Sequence, residues 1–226
     1  MIEKIKTRIA NLSEEEYRDF SSKLVESRYP MLGVRLPILR KMAKEIIRDG
    51  QAEIFLDEND FSSFELVLLH GMVIDYIRDI SHSLREFERF LPYIDNWSVC
   101  DTFCAGYRLS ESFPNEVFSF LMKHRNDPEP FTKRVILVMW MDHFLDKRPL
   151  NDFFFFLEEI NSDAYYVRMA VAWCVATAMA KYPEETFSFL ERGTLDRWTH
   201  NKSIQKIRES YRVSQEMKQR LLLLKK

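Results

Sequence analysis

Two stretches of this chain are near copies of one another. FPNEVFSFL begins at Phe113 and YPEETFSFL at Tyr182, and RPLNDFFFFL, from Arg148, lies midway between them. The prolines of the three copies, Pro114, Pro149 and Pro183, are 35 and 34 residues apart. Proline suits the first turn of a helix, where its missing N–H has no intrahelical partner. The acidic and amide residues that follow suit the positive end of a helix dipole. A second series interleaves with the first. Trp97, Phe131 and Tyr165 are spaced by 34, with Phe64 one register earlier and Thr199 one register later. A period near 34 with two helices in each repeat implies stacked helical pairs.

The expected fold is therefore all-α, an α-solenoid of HEAT-like repeats forming a single domain over 1–226. The small-residue and aromatic pattern of TPR repeats, which share this period, is absent. Only five glycines are present, which argues against a β fold with many tight turns. The periodicity predicts helices over 2–11, 13–28, 36–49, 51–56, 62–78, 81–92, 96–109, 114–124, 129–145, 150–160, 163–181, 184–191, 199–211 and 214–223. Ser13 and Glu16 occupy the positions of a capping box.

The same register aligns charge. Arg134, Arg168 and Lys202 are 34 and 34 residues apart, and Lys206 follows one turn after Lys202. Equivalent positions of a solenoid stack along one surface, so these cations form a stripe that suits a phosphate backbone. They suit equally the arginine that grips an acid of the neighbouring repeat and holds the stack together. Spacing alone leaves both readings open.

Two residues break the pattern. Cys100 stands where its sister repeat has Arg134, so Asp101 stands where the others have Val135 and Met169. A carboxylate at a core-facing position is costly unless it is paired or solvated. Departures from an otherwise consistent pattern are where functional sites tend to lie. Trp97 is four residues before Asp101 and shares its helix face. Trp173, set among alanines in RMAVAWCVATAMA, either fills a gap between helices or projects into a groove.

Charge is segregated. Residues 1–122 carry 15 basic and 21 acidic side chains, and residues 123–226 carry 18 and 14. The last 30 residues carry nine basic and two acidic side chains. Such a distribution allows a polyanionic partner despite a net charge of −2. The three cysteines have no disulfide spacing, and neither a signal-peptide core nor a membrane-length apolar run is present, so a reduced, cytoplasmic protein is expected.

At this point the sequence resembles the bacterial DNA alkylation repair proteins, the AlkD-type DNA glycosylases built from HEAT-like repeats. The resemblance covers roughly residues 20–215. It is carried by YPMLGVRLPILRKMAKEI (29–46), DNWSVCDTFC (95–104), KRVIL (133–137), YYVRMAVAWCVATAMAKYPE (165–184) and HNKSIQKIRESYRVS (200–214). It implies a C-shaped solenoid whose concave groove holds duplex DNA carrying alkylated bases. It also implies hydrolysis of the N-glycosidic bond of N3- and N7-alkylated purines without drawing the lesion into a base pocket. The family's catalytic aspartate falls on Asp101, its groove tryptophans on Trp97 and Trp173, and its phosphate-contacting arginine on Arg134. An aromatic of the family's DNA face is replaced by Leu24, and a lysine by Asp142. Neither a metal nor an organic cofactor is implied, and neither a membrane nor an obligatory protein partner is expected.

Other chemistries find little support. A zinc site from Cys100, Cys104 and His200 lacks a second ligand pair, and Cys-x-x-x-Cys at helical spacing is the mark of two small core residues. No Gly-rich phosphate loop and no G-x-S-x-G nucleophile motif occurs. The phenylalanines 153–156 read as solenoid core. The alternative to a glycosylase is a non-catalytic HEAT-type scaffold that binds DNA or a protein in its groove.

Overall fold

The structure, a computed structural model, describes residues 1–160 and 162–226 and is all-helical, with no strand among the described residues. The chain packs as two compact units, Met1–Lys123 and His124–Lys226.

The first unit contains α1 (Ile2–Asn11), α2 (Glu15–Ser21), α3 (Leu36–Arg48), α4 (Ala52–Glu58), α5 (Phe64–Ile74), α6 (Ile80–Phe90), α7 (Trp97–Gly106), the single turn α8 (Leu109–Ser112) and α9 (Pro114–Lys123). Every residue of α5 is buried, so the helix must be enclosed on all sides. α3 and α7 flank it, and α4 and α6 complete the enclosure. Aromatic rings fill the interior. Phe103 meets Phe87 edge-on at 4.6 Å and Phe90 at 5.3 Å, geometries that the ring quadrupoles favour. Tyr107 is fully buried and shares a 2.9 Å hydrogen bond with Ser83.

The second unit contains α10 (Pro130–Met139), running into a π-helical turn at Trp140–Phe144, then α11 (Leu150–Glu159), α12 (Tyr165–Lys181), α13 (Pro183–Glu191), α14 (Arg197–Glu209) and α15 (Gln215–Leu222). α12 is the enclosed helix here, packed between α10 and α14 and backed by α13. α11 and α13 meet through Phe154 and Phe189, stacked at 4.5 Å. Phe153, Phe154 and Phe156 are core, whereas Phe155 is 60% exposed, as one side chain in such a helical run must be.

The repeat is visible in the helix starts: Phe64, Trp97, Pro130, Tyr165 and Arg197 open equivalent helices. Pro114 and Pro183 are the first residues of α9 and α13, and Pro149 caps α11. Several expectations fail locally: α14 opens at Arg197 rather than 199, and α5 ends at Ile74 rather than 78. The capping box does not form, because Ser13 donates to the Ala10 carbonyl at 2.7 Å and Glu14 is the cap residue of α2. The helix expected over 13–28 stops at Ser21. Tertiary partners take the groups a longer helix would use: Asp95 accepts the Arg28 N–H at 2.6 Å, and Trp97 Nε1 donates to the Leu24 carbonyl at 3.3 Å. The periodicity also ran α7 on to 109, whereas α7 ends at Gly106 and α8 is a separate turn.

The close approach of α5 to α7 is settled at Gly106, where a Cβ would land on the Asp75 carboxylate. Asp75 caps the C-terminal end of α5, and its Oδ1 is buried without a hydrogen-bond partner among the described residues. Burial pushes its carboxyl well above the usual range, against the downward pull of Arg40 and Arg108. The folded chain thus holds a proton that the unfolded chain releases in the ordinary carboxylate range. Stability from this group is complete below that range and is lost as pH rises towards the folded value. Asp75→Asn should therefore flatten the fall in urea midpoint as pH rises above the ordinary carboxylate range. Gly106→Ala should lower stability by on the order of 1–3 kcal/mol through overpacking, measured by the same denaturation.

Candidate functional site

In the first unit, polar groups anchored by the chain's own loops shape a cleft. Asn96 caps α7 by accepting the Val99 N–H at 3.0 Å, which starts the helix at Trp97. The neighbouring Asp95 binds the Ser27 hydroxyl at 3.0 Å as well as the Arg28 N–H, holding residues 24–28 against the start of α7. Glu65, 1% exposed on α5, accepts the N–H groups of Leu32 (3.0 Å), Gly33 (2.7 Å) and Val34 (3.3 Å). Gly33 has φ +97, and a Cβ there would collide with the Glu14 carbonyl, so this turn requires glycine.

These anchors leave a cleft of about 230 Å³ between α2, the 25–36 segment, α5 and α7. Trp97 and Asp101 both line it, together with Tyr17, Phe20, Leu24, Phe64, Glu65 and several aliphatic side chains. Trp97 and Asp101 are both partly exposed. The register placed Asp101 at a core position; its counterparts Val135 and Met169 are, respectively, fully buried and, like Asp101 itself, partly exposed. The position is fully buried only at Val135, and Asp101, partly exposed in the cleft lining, escapes a full desolvation penalty. Cys100 and Cys104, also on α7, are buried core residues.

In the second unit, the two arginines of the column grip the starts of neighbouring helices. Arg134, 5% exposed, donates to the Tyr166 carbonyl in the first turn of α12 at 2.8 Å. Arg168 pairs with Asp196, the cap of α14, donates to Thr199 Oγ1 at 3.2 Å and lies 4.5 Å over the Trp198 ring. Burial pushes the Asp196 carboxyl up, but hydrogen bonds from Thr199 and Arg168 prevail and hold it below the usual range. Lys202 donates to Gln205 at 2.9 Å, with its ammonium 5.7 Å from Trp198.

Arg168 and Lys202 share an open cleft of about 650 Å³ with Arg197, Trp198, Arg208 and Lys225. Five cations around one acid, Asp196, make this a ready seat for phosphate. Arg134, Trp173 and Lys206 lie outside the linings of both clefts; Trp173 is half-buried on α12 and Lys206 half-buried on α14. Sequence reasoning did not find Arg197, Trp198, Arg208 or Lys225. The excess of basic residues in the last 30 was their only signal. Nor did it find Tyr17, Phe20 and Glu65, which join Trp97 only through folding.

No helix among the described residues is long and apolar enough to cross a membrane. A family model described as DNA alkylation repair enzyme matches residues 5–211, and the chain belongs to that family. A comparison with curated proteins finds no match.

The clamp on the 32–34 turn gives a direct test of how the cleft is held. Glu65→Ala strands three N–H groups, those of Gly33 and Val34 in buried bonds, and should cost about 3 kcal/mol or more, since each lost partner costs about 1–3 kcal/mol. Thermal or urea denaturation reads this loss.

Proposed function

Starting from membership of a family of DNA alkylation repair enzymes, we propose that this protein is a DNA glycosylase. On this reading it hydrolyses the N-glycosidic bond of N3- and N7-alkylated purines in duplex DNA. The observation that carries the proposal is the placement of Asp101 and Trp97, one helical turn apart and partly exposed, in the same cleft.

The chemistry explains the residue types. An alkylated purine already bears positive charge and leaves readily, so little general-acid help is needed. The oxocarbenium-like sugar that develops as the bond breaks is what needs stabilising. A carboxylate set close to it stabilises that charge and can orient the attacking water. An indole face adds cation–π attraction. The same reading gives Trp173 the part of a second indole. It gives Arg134, Arg168, Lys202 and Lys206 contacts with flanking phosphates, where they fix position rather than read sequence.

One observation favours a second reading, a non-catalytic scaffold that binds DNA or a protein. Arg168 is engaged with Asp196 and Thr199, the stacking arrangement that such a repeat needs for its own integrity.

Release of 7-methylguanine from duplex DNA separates the two readings. Asp101→Asn should lower it at least about tenfold, in line with the roughly 2.7–4 kcal/mol lost with an electrostatic stabiliser. Equal release by both proteins overturns the catalytic assignment, and binding without release by either favours the scaffold. Independently, Lys202→Glu should weaken binding to all DNA sequences alike and flatten its dependence on salt. Unchanged binding would leave Lys202 as a structural residue.

A further inference from the structure

A second cavity in the first unit, of about 190 Å³, lies at the opposite end of α7 from Trp97 and shares no lining residue with the cleft there. Four cations line it: Arg40 and Lys44 from α3, Arg78 beyond the end of α5 and Arg108 beyond the end of α7. Asp75 lies among them, and only a glycine at position 106 leaves room for its carboxylate. We infer that this cavity is a seat for a compact, multiply charged oxyanion of the phosphate class, the size of a pyrophosphate. The inference stands apart from the glycosylase reading.

What singles these cations out is their lack of partners. Every other arginine of the first unit meets a carboxylate or a carbonyl, as Arg35 meets Glu14 and Arg89 meets Glu86. Arg40, Arg78 and Arg108 have neither a hydrogen bond nor an ion pair among the described residues, and all three line this one cavity. Acids are not scarce, since residues 1–122 carry 21 of them against 15 bases. Arg40 and Lys44 are one turn apart on α3, where like charges repel. The negative ends of α5 and α7 suit Arg78 and Arg108, but each supplies only about half a charge, and Arg40 and Lys44 sit in the middle of α3. An oxyanion with several negative charges answers all four through charge-assisted N–H bonds. Asp75 does not oppose it. Its Oδ1 is buried without a partner among the described residues, and burial favours the protonated carboxyl, which cancels no surrounding charge and has an O–H to donate. The volume falls below the roughly 300–1,000 Å³ of drug-sized ligand sites, so it suits phosphoryl groups and excludes a whole nucleotide.

The test is calorimetric titration of pyrophosphate, without divalent metal, into the full chain carrying Lys202→Glu, which disables the basic cleft of the second unit. Adding Arg40→Gln and Arg108→Gln should weaken binding at least about tenfold, equivalent to about 1.4 kcal/mol. Adding Lys4→Gln and Lys41→Gln instead removes the same charge from exposed positions outside the cavity, and should weaken binding by about threefold or less, since solvent and salt screen distant charges. Arg40 and Arg108 are exposed, and circular dichroism checks that their variant is folded. Absence of binding, or an equal loss in the two double variants, overturns the proposal. Saturating undamaged duplex DNA then separates two sources of the phosphate. Pyrophosphate that binds alongside the duplex marks a free phosphate compound as the occupant, and displacement by the duplex marks a phosphate of the strand.

Discussion

Two helices that are apolar around much of their circumference, α5 and α12, dictate the rest of this structure. Such a helix cannot rest on a surface with one face in water; it must be enclosed. Each is enclosed in the same way, by the equivalent helix of the repeats before and after it and by the shorter partner helices behind. The 34-residue period follows from this arrangement. Each repeat supplies one central helix and one backing helix, and no repeat can bury its own apolar surface alone.

Apolar enclosure sets which helices adjoin but does not fix where each begins. That task falls to polar side chains at the helix starts. Ser63, Asp79, Asn96, Asp196 and Ser214 each cap a helix by accepting backbone N–H groups. Arg134 and Arg168 act one repeat further on, gripping the first turn of α12 and the cap of α14. In the first unit the corresponding link is made by acids rather than cations: Glu65 and Asp95 draw the 27–34 segment against α5 and α7. Arg134 and Arg168 therefore hold the stack, while Arg168 and Lys202 border an open basic cleft. The same exchange of cation for neutral side chain at Cys100 frees this turn of α7 from the gripping role. Its next residue, Asp101, faces the cleft.

Much of the helix map was legible because its signals are local. Proline in a first turn and an apolar face at a period of 3.6 act within a few residues, and so they survive any tertiary arrangement. The misreadings occur where a distant partner intervened. The end of α2 is decided by Asp95 and Trp97, more than 60 residues away, and Ser13 turns back to α1 instead of capping α2. The buried Asp75, with its carboxylate against Gly106, gave no sequence signal at all, since an acid at a helix end looks ordinary until another helix closes over it.

The sequence by itself determined the all-helical class, the repeat length, most of the helix starts and the exceptional place of Asp101 in the register, because periodicity and register are properties of the chain. The resemblance that names the family was legible there too. Only the tertiary structure decided that Tyr17, Phe20, Phe64 and Glu65 share a cleft with Trp97 and Asp101, and that Arg197, Trp198, Arg208 and Lys225 gather around Arg168 and Lys202. The physical reason is that a cleft is the space left over once enclosed helices are packed. Its walls come from segments far apart in the chain, brought together by apolar burial and held by a few hydrogen-bonded acids and arginines.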